Sequence, residues 1–73
     1  MKRIAILIRS GHELDADTRI AITHLRAAHF EATEDDRRDI REQVCRYVWI
    51  DDNAELDAAM KILSGTGISA IRA

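Results

Sequence analysis

The chain has no proline, only three glycines and a single cysteine. Few turn formers point to long elements joined by short connections. One cysteine, Cys45, excludes an internal disulfide, and no cysteine–histidine spacing of a zinc site occurs. No apolar run is long enough to span a bilayer, and the one near the start, Ile4 to Ile8, is too short for a signal peptide. A cytoplasmic protein with no membrane partner is therefore expected. Neither sign of charge dominates: 11 basic residues face 13 acidic ones and are interspersed with them. That leaves no basic stripe for nucleic acid.

With 73 residues the chain forms one domain. A domain this short buries only about 60% of its unfolded surface. Set against chain entropy, that burial leaves a net stability near zero unless something staples the fold. With no disulfide and no metal pattern, self-association is the remaining source of stability, and a homo-oligomer is expected.

Periodicity suggests five elements. Arg3 to Arg9 reads as a strand with Ile4, Ile6 and Ile8 on one face and Ala5 and Leu7 on the other. Both faces are apolar, as in a strand covered on both sides by helices. Ser10, Gly11 and His12 form a turn. A helix then runs from a cap at Asp15 or Asp17 to about His29, with Leu14, Ala21, Leu25 and Ala28 inside. Phe30 to Ala32 is a break. From Thr33 to Ile50 the spacing of Ile40, Val44, Tyr47 and Val48 predicts a long helix capped by Thr33. Glu34 with Arg38, Arg38 with Glu42 and Glu42 with Arg46 support it, at roughly 0.2–0.5 kcal/mol each.

Leu56, Ala59, Met60 and Leu63 predict a third helix, ended by Gly65 in a left-handed conformation, and Ile68 to Arg72 predict a closing strand. The order is β-α-α-α-β: a small parallel sheet packed by helices, completed by oligomerisation.

The chemistry-bearing residues are few. Gly65-Thr66-Gly67 reads either as a phosphate cradle or as a helix end followed by a turn. Asp51, Asp52, Glu55 and Asp57 lack the spacing of a calcium loop and read as a solvated cap cluster. His12, His24 and His29 show no metal-ligand pairing, and Cys45 has no predicted base beside it. Tyr47 and Trp49, the only tyrosine and tryptophan, either close the core or anchor a subunit interface.

Several stretches together resemble one family. Lys2 to Leu7, Leu14 to Thr18, Asp39 to Val44, Trp49 to Asp52 and Ser64 to Ser69 are similar in order and spacing to the first half of the MoaB/MogA family. These are the molybdopterin-binding proteins of molybdenum cofactor biosynthesis. The resemblance implies that Gly65, Thr66 and Gly67 form the ligand loop, that Ser10 and Thr18 line its edge, and that the ligand is a phosphorylated pterin or nucleotide. If the chain were an enzyme, the resemblance would imply adenylyl transfer. Only six residues follow Gly67, too few for the helix whose N-terminus completes a phosphate loop, so no catalytic residue and no cofactor is assigned. The competing expectation is a small self-associating structural or protein-interaction protein without a ligand, engineered or of the phage inhibitor type.

Overall fold

The structure, a computed structural model, describes residues 1–35 and 44–73. Ile40 and most of the charge pairs assigned to the long helix lie outside the described residues.

Among the described residues six elements follow one another: β1 (Lys2–Leu7), α1 (Leu14–Ala27), β2 (Ala32–Glu34), β3 (Cys45–Ile50), α2 (Leu56–Gly65) and β4 (Ala70–Arg72). The strands form one sheet in the order β2-β3-β1-β4. Every neighbouring pair is antiparallel, with Ile4 opposite Val48 and Arg72, and Thr33 opposite Trp49. This is the split β-α-β arrangement of ferredoxin-like domains, a topology that fixes no function by itself.

Side chains alternate across a strand, so the register sorts them into two faces. Ile4, Ile6, Val48, Ile50 and Ala32 face the helices and pack with Leu14, Ala21, Leu25, Ala59, Leu63 and Ile68 in the main core. Ala5, Cys45 and Tyr47 form a second buried cluster on the other face, with Leu7 against it. Arg46 lies on the helix side of β3 and pairs with Asp15 of α1 at 2.6 Å. Among the described residues, no helix is long and apolar enough to cross a membrane.

Two expectations are corrected here. The first is the helix over 33–50. Ala32–Glu34 and Cys45–Ile50 are strands. Tyr47 and Val48 satisfy a helical spacing, but Cys45 to Ile50 is also a short apolar run, broken only by Arg46 and rich in β-branched and aromatic residues. Periodicity alone does not separate the two in so short an apolar run. Pairing on both edges, with β1 and β2, decides for strand.

The second correction is the small parallel sheet. Four strands, all antiparallel, replace the β-α-α-α-β arrangement. The cause is parity. Each connection between successive elements reverses the chain direction, and six elements carry five reversals where five elements carry four. β4 therefore returns opposite to β1, whereas the shorter order would make them parallel.

The helix ends follow local rules. At the end of α1, the N–H of Phe30 donates to the carbonyl of Leu25 at 2.9 Å, and the N–H of His29 donates to that of Arg26 at 3.0 Å. His29 has φ +69. Those bonds define a Schellman motif, with His29 in the place that favours glycine and Phe30 packed back on the core beside Leu25. α2 is helical over Asp57 to Leu63, as its spacing predicts, and runs on through Gly65. The left-handed residue is Gly67, φ +80, two positions later than expected.

Candidate functional site

Just beyond β1, residues 9–12 form a turn in which the N–H of His12 donates to the carbonyl of Arg9 at 3.1 Å. Gly11, at its third position with φ +77, has the left-handed backbone that a type II turn needs there. Glu13 then caps α1 through its backbone, and Asp17 donates its N–H to the Glu13 carbonyl at 3.0 Å. A carboxylate in this first turn is favoured by the helix dipole. The α2–β4 connection arrives from the other side. The N–H of Leu7 donates to the carbonyl of Ser69 at 2.8 Å, which brings Gly67 against the Arg9 guanidinium. A Cβ on Gly67 would stand 3.6 and 3.7 Å from the two terminal nitrogens of Arg9.

Three side chains meet between these turns. Arg9 Nη2 donates to His12 Nδ1 at 3.2 Å. Arginine has no acceptor, so Nδ1 carries the lone pair and the ring proton sits on Nε2. The carboxylate of Asp17, only 3% exposed, places Oδ1 3.7 Å from His12 Nδ1 and Oδ2 3.9 Å from Arg9 Nε. Both separations exceed a hydrogen bond. Arg9 Nε and Asp17 Oδ2 are buried without hydrogen-bond partners.

The residues singled out by the resemblance fall around this cluster, most with their polar groups already engaged. Ser10 is exposed in the Arg9–His12 turn. Thr18 is buried in α1 and donates its hydroxyl to the Leu14 carbonyl at 2.7 Å. Gly65 ends α2. The Thr66 N–H donates to the Leu63 carbonyl and the Gly67 N–H to that of Ser64, each at 3.1 Å. The Thr66 hydroxyl also donates to Leu63, at 2.6 Å. These glycine-loop amides therefore serve the C-terminal, partially negative end of a helix. The sequence reads Arg9 as a strand end and Asp17 as a candidate cap, and neither as a site residue. An acid in the first turn of a helix reads as a cap, and only the tertiary fold shows that it is buried against an arginine.

The second feature is the face of the sheet away from α1 and α2, helix-free among the described residues. Tyr47 and Trp49, two residues apart on β3, both point there. The Arg3 guanidinium lies over the Tyr47 ring at 4.0 Å and the Trp49 ring at 5.5 Å, within cation–π range. It also lies 3.6 Å from the buried Asp35 carboxylate. By register, Ala5, Leu7, Cys45 and Ile71 complete this face, and Ile71 is 49% exposed.

At the opposite end, a cleft of about 460 Å³ lies between the end of α1 and the start of α2, with Phe30 and Ala54 in its lining and Glu31, Asp51 and Glu55 among its acids. Asp51 Oδ1 there accepts from the N–H of Asn53 at 2.7 Å, an Asx turn that shapes the loop. Among the described residues, no group of three or more His, Cys, Asp or Glu side chains is placed to hold a metal ion.

No family model, no curated protein and no solved structure matches this chain.

Proposed function

We propose that the chain is a small self-associating interaction protein, and that the helix-free face of its sheet meets the same face of a second copy. One observation carries this reading. An antiparallel sheet with one solvated face ordinarily alternates apolar and polar residues. Apart from Arg3, β1 and β3 instead present Ala5, Leu7, Cys45, Tyr47 and Trp49 on the side away from the helices, and β4 adds Ile71. Ala5, Cys45 and Tyr47 form a buried floor, Leu7 and Trp49 are half-buried, and Ile71 stands out at the rim. Ile71, exposed at the edge of these residues, is the apolar group that a partner would cover first. A second copy suits it because so short a chain, with no disulfide, gains stability cheaply by covering its own apolar face.

Sedimentation velocity at micromolar concentration tests the reading. A wild-type dimer and a folded, monomeric Ile71→Lys variant are expected. A monomeric wild type, or a variant that stays dimeric, overturns it.

A second reading follows the resemblance. The Ser10 and Gly67 turns adjoin, with Arg9 as the cation between them, and would hold a phosphorylated pterin or nucleotide. The buried Asp17 carboxylate opposes an anion at that spot, so self-association comes first. Titrating such a ligand against wild type and Arg9→Ala tests it. Saturable binding that is lost in the variant supports the ligand reading, and absence of binding removes it.

A further inference from the structure

We propose that the β1–α1 turn is a proton-operated latch, in which neutral His12 holds Arg9 and protonated His12 releases it and donates to Asp17 instead. The proposal does not depend on the chain's partner. It starts from two buried atoms, Arg9 Nε and Asp17 Oδ2, that lack hydrogen-bond partners although they stand 3.9 Å apart. Folded proteins leave few such atoms, and each calls for a cause.

His12 supplies the cause. Its Nδ1 accepts from Arg9 Nη2 at 3.2 Å, and that bond holds the guanidinium away from the carboxylate. The bond exists only while Nδ1 carries a lone pair. A proton on Nδ1 sets two cationic donors against each other. The nearest acceptor is then Asp17 Oδ1, 3.7 Å from the same nitrogen. The His12 side chain is 43% exposed, so a small rotation of the ring is free to close that gap into a charge-assisted hydrogen bond. Arg9, released, can turn Nε onto Oδ2. Both orphaned atoms are satisfied in the protonated arrangement and in neither case when His12 is neutral.

The imidazole is faced by Arg9 from its own turn and by Asp17 from α1. The α2–β4 turn contributes Gly67, which is uncharged and on which a Cβ would stand 3.6 Å from an Arg9 nitrogen. Glu13, next in sequence, is exposed and makes no ion pair with His12. Histidine side chains in general change charge between about pH 5 and 8, which sets the window for a test.

Nuclear magnetic resonance on the full, isotopically labelled chain tests the latch by titration across that window. At the alkaline end, the His12 ring is expected as the Nε2–H tautomer. On acidification the Arg9 Nε proton is expected to shift downfield and the Asp17 carboxyl carbon to shift with it, both at the His12 midpoint rather than at those of His24 or His29. His12→Gln, an exposed and non-titrating replacement, is expected to flatten both responses. An Nδ1–H tautomer at the alkaline end, an Arg9 signal that ignores His12, or a response that survives in His12→Gln would each overturn the proposal.

Discussion

Val44 and Val48 make the sharpest comparison in the chain. A helix over 33–50 would put them four residues apart on one buried face, and truncating either would cost about the same. As a strand, β3 buries Val48 completely, beside Ile4 and within the helix-covered core, while Val44 just before it is 54% exposed. Val48→Ala removes two methyl groups, worth about 0.8 kcal/mol each in transfer. A residual cavity of roughly 40 Å³ adds about 1 kcal/mol, for a total near 2.5 kcal/mol. Val44→Ala is a surface change and stays within about 0.5 kcal/mol. A chain of this size has on the order of 4–11 kcal/mol to lose, so both variants fold. Urea unfolding followed by circular dichroism, at one fixed protein concentration because association adds to apparent stability, reads the difference as a shift in midpoint at constant slope. In thermal unfolding the Val48 variant should melt roughly 10–20 °C lower. Equal losses at the two positions would refute the strand assignment and the sheet built on it.

The helix ends give three more tests, all read by the same unfolding measurement. His29→Gly relieves a left-handed backbone at a non-glycine residue and should stabilise the chain by about 1 kcal/mol; a loss of stability would contradict the Schellman geometry. Gly65→Ala has nothing within 4 Å of the new methyl group and sits in the last turn of α2, so it should gain roughly 0.5–1 kcal/mol. Gly67→Ala has room beside Arg9 but demands φ +80, so it should lose about 1 kcal/mol; matching effects at the two glycines would mean that α2 ends elsewhere.

The parts of the fold legible in the sequence are those where one period stands alone. β1, α2 and β4 lie within a residue or two of where spacing predicts them, α1 is capped at Glu13 rather than at Asp15 or Asp17, and Asp57 to Leu63 is helical as its pattern indicates. β2 is three residues long and offers no period to read. β3 is a short apolar run that fits a helix or a strand, and the choice between them depends on partners 14 to 48 residues away in the chain, as the pairing of Glu34 and Lys2 with β3 illustrates. Missing that one reversal also inverted the expected direction of β4. Both faces of β1 read as apolar, and among the described residues each packs into a buried cluster, the larger one against the helices.

Ser10 and Gly67 attracted notice through their turn chemistry, and the fold brings their turns together at Arg9. Arg9 and Asp17 did not, because burial of a charged pair is a tertiary property that no local pattern records. Tyr47 and Trp49 were expected to flank one helix face; they share one sheet face instead, beneath Arg3.

The apolar second face exists only if β1 lies between β3 and β4 and runs against both. Cross-strand Hα–Hα contacts measured by nuclear Overhauser spectroscopy test this most directly, since directly opposed residues approach closest in the non-hydrogen-bonded pairs of an antiparallel ladder. Contacts between Ala5 and Tyr47 and between Ile6 and Ala70 are expected from the register. Helical contacts three residues apart along Cys45 to Ile50, with none from Ala5 to Tyr47, would contradict it.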